Sequence, residues 1–322
     1  MKEFGKPILV VSKCLGFEHC RYNGLIINDD FVDSLKDHVE FKPICAEVEI
    51  GLGIPRDPVR VVNVNGELRL IQPSTGRDLT ETMQNFANSH LDSMVYVDGF
   101  ILKSRSPSCG IKDVKIYSNK GDNMVLGKGS GFFGGAVLKR FPHPTVEDEG
   151  RLSNFRIREH FLTQIYTFAS FRKIKAENTI KALVRFHSQN KLMLMAYNQK
   201  EMRELGRIVA NRDKRAIAEM MNDYETHLYR AFNSIPRYGS NINVLMHGLG
   251  YFSDYLSHEE KAFFLDSLEK YRAKKVPLSV PLAILRSFIV RFKEDYLMQQ
   301  TYFEPYPEGL VEITDSGKGR DM

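Results

Sequence analysis

Pro7-Ile8-Leu9-Val10-Val11-Ser12-Lys13-Cys14 is a short apolar run that stops at a lysine and then presents a thiol. Its length and branched side chains are those of a strand buried on both faces, as in parallel sheets. Two further stretches repeat the pattern. Phe41-Lys42-Pro43-Ile44 runs into Cys45, and Gly99-Phe100-Ile101-Leu102 is followed by Ser106-Pro107-Ser108-Cys109-Gly110. Each thiol therefore falls at or just past the carboxyl end of a predicted strand. In open α/β sheets those ends face one crevice, where ligands bind. Three thiolates meeting there suggest a metal centre with one coordination position free. The alternative is three buried structural cysteines, since free Cys is among the most buried residue types.

Working outward, strand patterns at 7–12, 41–44, 59–64, 67–71, 98–102 and 114–117 alternate with helix patterns near 29–37, 78–93 and 131–139. Asn65-Gly66 between two alternating segments is a two-residue hairpin signal. Asp78 or Thr80 is placed to cap the second helix. Strands interleaved with helices predict an α/β N-terminal domain with a mainly parallel sheet over residues 1–142. Residues 143–152, with Pro144, an acidic cluster and Gly150, read as a linker after Pro142. Beyond it, apolar residues recur at three and four spacings, as in Phe161, Leu162, Ile165 and Phe168. Residues 153–308 are thus expected to form an all-α C-terminal domain of six to eight helices, and 309–322 a flexible tail.

Composition narrows the function classes. With 43% apolar and 26% charged residues, the chain has the profile of a globular protein. No apolar stretch approaches the ~18 residues of a membrane span, and the N-terminal run is too short for a signal peptide. A cytoplasmic protein with reduced cysteines is the expectation. Charge is uneven: residues 1–150 carry 18 Lys/Arg against 20 Asp/Glu, whereas 151–230 carry 16 against 8, a net of +8. That suits a module for a polyanion, and equally a helical surface of solvated lysines.

The cysteine spacing lacks the close pairs of zinc frameworks, but tertiary structure can assemble an iron–sulfur site from distant thiols. Gly129-Ser130-Gly131-Phe132-Phe133-Gly134 spells a glycine pattern ahead of a helix. It lies too late in the domain for a dinucleotide fingerprint. A tight helix entry, either structural or offering N–H groups to one phosphate, is the better reading.

Ser12-Lys13-Cys14-Leu15-Gly16, Arg21-Tyr22-Asn23-Gly24, Cys45-Ala46-Glu47-Val48, Glu49 to Arg56, and Lys103 through Gly110 come in the order seen in the thiouracil desulfurase family. The chain resembles that family over roughly residues 5–140. The resemblance implies a [4Fe–4S] cluster held by Cys14, Cys45 and Cys109, with one iron lacking a protein ligand. It also places Glu47 and Ser106 at the positions used for chemistry. Ala46 departs from the family's usual proline without removing a ligand. Cys20 has no role in this scheme and is taken as a bystander. From the residues alone, the better reading is that Glu47 caps a helix and Ser106 starts the Pro107 turn.

Arg185-Phe186-His187, Lys191 to Ala196, Leu205-Gly206-Arg207, Asn243 to His247, Tyr271-Arg272 and Val276 to Leu282 resemble the helical YbgA-type domain, over about residues 155–308. Histidines common in that family are replaced here by Asn190 and Tyr197, which argues against a catalytic or metal histidine at those positions. Arg172, Lys173, Arg185, His187, Lys191 and Arg207, interleaved with aromatics, are candidate RNA contacts, or else a polar helix face. The first resemblance implies an iron–sulfur desulfurase, and the net charge of +8 over residues 151–230 points to a thiolated base within RNA, so the expectation is removal of sulfur from thiouridine in tRNA. The alternatives are a desulfurase of free thiouracil or thionucleosides, and a non-catalytic iron–sulfur RNA-binding or sensor protein.

Overall fold

In the computed structural model, which describes residues 3–120, 123–141 and 145–312, the N-terminal half builds two sheets. The first is parallel throughout and runs in the order β2 (Glu40–Ile44), β1 (Ile8–Ser12), β6 (Gly99–Leu102), β9 (Thr145–Asp148). The second is mixed: β5 (Arg77–Asp78), β4 (Glu67–Gln72), β3 (Arg60–Val64), β7 (Val114–Ser118), β8 (Val125–Gly129). β1 and β6 are the inner strands of the parallel sheet, and Leu9, Val10, Val11 and the whole of Gly99–Leu102 are buried. That double burial is why their sequences are uninterrupted apolar runs. The hairpin between β3 and β4 forms as expected, with Asn65 and Gly66 both at positive φ.

Helices α1 (Asp30–Leu35), α3 (Thr80–Asp92) and α4 (Phe132–Arg140) lie where the periodicity predicts them. Met83, Ala87 and Leu91, four residues apart, give α3 one apolar stripe. It joins Phe133 and Val137 of α4 and Phe100 and Leu102 of β6 in one core. Neither expected cap acts as one. Leu79 is the N-cap, Asp78 Oδ1 accepts from the Thr80 amide, and Thr80 Oγ1 accepts from the Leu70 amide. Those two side chains secure the β4–α3 junction instead.

The predicted linker is different in the structure. Pro142, His143 and Pro144 lie outside the described residues, but Thr145–Asp148 form β9 against β6 and Glu149–Leu152 form α5. Thr145 and Asp148 face inward and are buried, so this stretch is part of the sheet despite its charge. At the other end, Leu310 is buried and Arg158 donates to the Glu312 carbonyl at 2.9 Å, so 309–312 are anchored. The remainder of the predicted tail, 313–322, lies outside the described residues.

The second half is helical: α6 (Phe155–Glu177), α7 (Ile180–Tyr197), α8 (Gln199–Ala210), α9 (Ile217–Ala231), α10 (Tyr238–Gly250), α11 (His258–Arg272), α12 (Ser279–Phe292) and the single turn α13 (Asp295–Met298). Two compact units result, one of residues up to Ala169 with the chain from Gly309, the other Ser170–Glu308. Caps delimit the second unit's helices: Thr179 for α7, Asn198 for α8, and a Ser257–Glu260 capping box for α11. Among the described residues no helix is long and apolar enough to cross a membrane.

Candidate functional site

Because β1, β2 and β6 are parallel neighbours, their carboxyl ends share one edge of the sheet. Cys14 follows β1 by two residues. Cys45 directly follows β2 and is the N-cap of the short helix α2 (Ala46–Glu49), and Cys109 lies in the loop after β6. All three, with Cys20, Glu47, Arg56 and Ser106, line one cavity of about 370 Å³. The predicted ligands, from three distant places in the chain, thus share one cavity.

All four cysteines are free thiols. Burial pushes the Cys109 thiol up to about 12. The Cys45 thiol is also raised, first by a hydrogen bond with Cys20 and then by burial. Cys20 is raised to about 11, chiefly by its hydrogen bond with Cys14. Thiols so placed give up their protons when a metal cation takes the sulfur lone pairs. Among the described residues no group of three His, Cys, Asp or Glu closes on a single ion. The thiols instead border a cavity, which fits a polynuclear sulfur-ligated group with separate anchor points better than mononuclear zinc.

Glu47 does not cap α2. Its Oε2 accepts from Arg56 Nε at 2.8 Å and Nη2 at 2.7 Å, and its Oε1 accepts from Ser108 Oγ at 2.9 Å. Arg56 Nη1 also donates to the carbonyls of Cys20 (3.0 Å) and Gly53 (3.2 Å). Ser106 takes the turn role, its Oγ accepting from the amides of Ser108 (3.3 Å) and Cys109 (3.1 Å), while it also lines the cavity.

Two devices hold the Ser106–Gly110 loop. The Gly131, Phe132 and Gly134 amides donate to the carbonyls of Gly110 (2.7 Å), Pro107 (3.1 Å) and Ser108 (2.9 Å). The glycine pattern is therefore the structural helix entry: the N–H groups a phosphate would need are spent on this loop. A Cβ at Gly131 would sit 2.6 Å from the Pro107 carbonyl oxygen, and one at Gly134 2.4 Å from that of Cys109. Only glycine permits that approach. On the other side, Glu149 accepts from the Ser104 amide at 2.8 Å and Ser104 Oγ at 2.6 Å, and pairs with Lys103.

In the helical unit, most of the candidate RNA contacts are engaged. Arg185 pairs with Glu177, Arg207 with Glu204, and His187 Nδ1 meets Tyr224 Oη at 3.1 Å. Burial pushes His187 down to about 4, with Lys191 adding to the effect. Arg172 has a partner of its own. Lys173 and Lys191 complete the set.

Compared with known proteins, residues 9–149 match the family model described as 2-thiouracil desulfurase. YbbK of Bacillus subtilis (strain 168), an uncharacterized protein, is 33% identical over 110 residues, which span 32% of this chain and 73% of that protein. The N-terminal half belongs to the 2-thiouracil desulfurase family. Residues 191–307 match the model "Protein of unknown function (DUF1722)". The uncharacterized YbgA of Escherichia coli (strain K12) is 26% identical over 164 residues, 50% of this chain and 96% of that protein. Among solved structures, "[4Fe-4S]-dependent thiouracil desulfidase TudS" is 28% identical, covering 46% of this chain and 93% of its own, with a TM-score of 0.37.

The desulfurase match extends to residue 149, so β9 and Glu149 belong to the family region, beyond the roughly 5–140 over which the resemblance is legible. Two residues of the site escaped the sequence reading. Arg56 and Ser108 stand inside the stretches that carry the resemblance, yet nothing in their spacing says that both bond Glu47.

Proposed function

We propose that this protein removes sulfur from thiouridine in tRNA, using a [4Fe–4S] cluster held by Cys14, Cys45 and Cys109. The observation that carries the reading is the arrival of those three thiols, with Glu47, on one cavity at the carboxyl edge of a parallel sheet. When bound, the cluster supplies a soft Lewis-acidic iron suited to a thiocarbonyl sulfur. Glu47, fixed by Arg56 and Ser108, faces the same cavity and serves proton transfer at the base. Ser106 offers a hydroxyl to substrate or water from the same wall. The basic helical unit supplies backbone contacts, and the thiolated base is read unstacked or flipped out.

One observation favours the second reading, a desulfurase of free thiouracil or thionucleosides. Arg185, Arg207 and His187 already have protein partners and would have to exchange them for phosphates.

The deciding experiment competes thiolated tRNA against 2-thiouracil on anaerobically reconstituted protein over a range of salt. A tRNA substrate predicts preference for the RNA and a binding constant whose logarithm falls linearly with the logarithm of salt concentration. Preference for the free base, with no salt dependence, rejects the tRNA reading. Full activity of Glu47→Ala with its cluster retained rejects the catalytic role of Glu47.

A further inference from the structure

Tyr22 is the only aromatic residue lining the thiol cavity among the described residues, and it is 43% exposed. The turn that carries it is held on several sides. The Gly24 amide, at a φ of +72°, donates to the Arg21 carbonyl at 2.9 Å, and Asn23 Oδ1 accepts from the Leu25 amide at 3.2 Å. The Arg21 guanidinium lies 5.7 Å from the centre of the Tyr22 ring. Arg56 ties this turn to the acid of the site. Its amide donates to the Tyr22 carbonyl at 2.7 Å, while its guanidinium holds the Glu47 carboxylate and the Cys20 carbonyl. One residue thus sets both the aromatic turn at the cavity and the carboxylate inside it.

We propose that Tyr22 is the substrate-binding residue on which the pyrimidine ring stacks, fixing the plane of the ring while Glu47 and the thiols meet its edge. The inference rests on the desulfurase reading of the cavity, and it is the same for a free base and for a base within tRNA. A pyrimidine has a polar edge and two apolar faces. Glu47 and Ser106 suit the edge, whereas a face calls for a planar apolar partner, and no other side chain lining the cavity is aromatic. Stacking tolerates changes in the groups a ring carries. Tyr22 therefore supplies affinity for the pyrimidine and leaves recognition of the sulfur to the thiols, so uracil is held on the same ring as 2-thiouracil.

The chain contains no tryptophan, so Tyr22→Trp places a single reporter at the cavity. Uracil titrated into the anaerobically reconstituted full chain is expected to quench that emission saturably. It should leave the emission of Tyr255→Trp, an exposed position in the helical unit, unchanged. No saturable quench in Tyr22→Trp, or the same quench in both, overturns the inference. Kinetics with 2-thiouracil supply a second arm. Tyr22→Leu is expected to raise KM about tenfold with kcat and iron content kept, because stacking holds ground state and transition state alike. Tyr22→Phe keeps the ring and should recover most of that loss. An unchanged KM in Tyr22→Leu, or equal losses in Tyr22→Leu and Tyr22→Phe, overturns the inference as well. Should a variant fail to fold, the other arm decides. Wild type that takes up no iron or sulfide fails the cluster reading itself, a distinct result, since the uracil titration reads Tyr22→Trp without the cluster.

Discussion

Arg56 meets Glu47 through two nitrogens on a single carboxylate oxygen, at 2.7 and 2.8 Å, with only 6% and 12% of the two side chains exposed. The other carboxylate oxygen is held by Ser108, so the acidic group is fixed from both sides. A paired charge this far out of water depends on its partner. Arg56→Ala leaves the carboxylate buried and unpaired, and is expected to lower stability by about 3–5 kcal/mol. Glu47→Gln keeps the shape and an acceptor, and Arg56 retains the Cys20 and Gly53 carbonyls, so it should cost less. Urea unfolding of the N-terminal unit orders the two, and equal losses would refute the pair as the group that holds Glu47.

Ser108 separates stability from chemistry. It is fully buried, and its hydroxyl donates to Glu47. Ser108→Ala removes one hydrogen bond to a charged group, worth about 1.5–3 kcal/mol. Iron content should stay at the wild-type level, while desulfuration falls about tenfold or more as the carboxylate loses its alignment, a barrier change of about 1.4 kcal/mol or more. Side-by-side iron analysis and single-turnover rates check this.

The contrast between β1 and β9 shows what the sequence can and cannot disclose. Ile8–Ser12 is buried on both faces, so its apolar run announces a strand. Thr145–Asp148 lies at the edge of the same sheet, and its charged side chains pair with residues close in sequence, as Glu147 does with Arg151. Its strand character comes from pairing with β6, which leaves no periodic mark. β8, with four exposed residues of five, was missed for the same reason. In the site, thiols at strand ends are legible because strand ends are. The bonds of Arg56 and Ser108 to Glu47 join residues up to 61 positions apart, and local spacing cannot carry them.

Glu149 shows how the missed strand serves the site. Its carboxylate takes the Ser104 amide and hydroxyl and the Lys103 ammonium, at the root of the loop that carries Ser106 and Cys109. Glu149→Ala leaves the Ser104 amide without that acceptor, at about 1–3 kcal/mol. The loop should loosen, with iron loading reduced in Glu149→Ala and largely kept in Glu149→Gln, which can still accept. Iron and sulfide analysis of both variants after identical reconstitution distinguishes a positioning carboxylate from a surface one.

Gly134 makes a steric counterpart. The Cβ of Gly134→Ala would meet the Cys109 carbonyl oxygen at 2.4 Å and the Gly110 oxygen at 2.5 Å. Backbone atoms cannot rotate aside, so either α4 or the Cys109 loop must shift, at about 1–3 kcal/mol of overpacking. Both lower melting temperature and reduced iron loading are expected. Normal iron loading in a fully stable Gly134→Ala protein would show that the helix entry does not position the ligand loop.

The helical unit yields a prediction in pH. Burial holds His187 at about 4 against an ordinary value of 6.5, so the folded state keeps it neutral where the unfolded chain would protonate it. Between those two values the unfolded state binds more protons, and stability rises with pH. The contribution is therefore complete above about 6.5 and is lost as pH falls toward 4. Folded protein is expected to melt at lower temperature at pH 5 than at pH 7, with the same net decrease smaller in His187→Gln. His187→Gln also keeps a polar group opposite Tyr224, the partner at 3.1 Å, which limits its cost at pH 7. Melting of both proteins across pH 4.5–7.5 settles the matter: parallel curves would mean that His187 titrates alike in the folded and unfolded chains, and its burial would then have no electrostatic consequence.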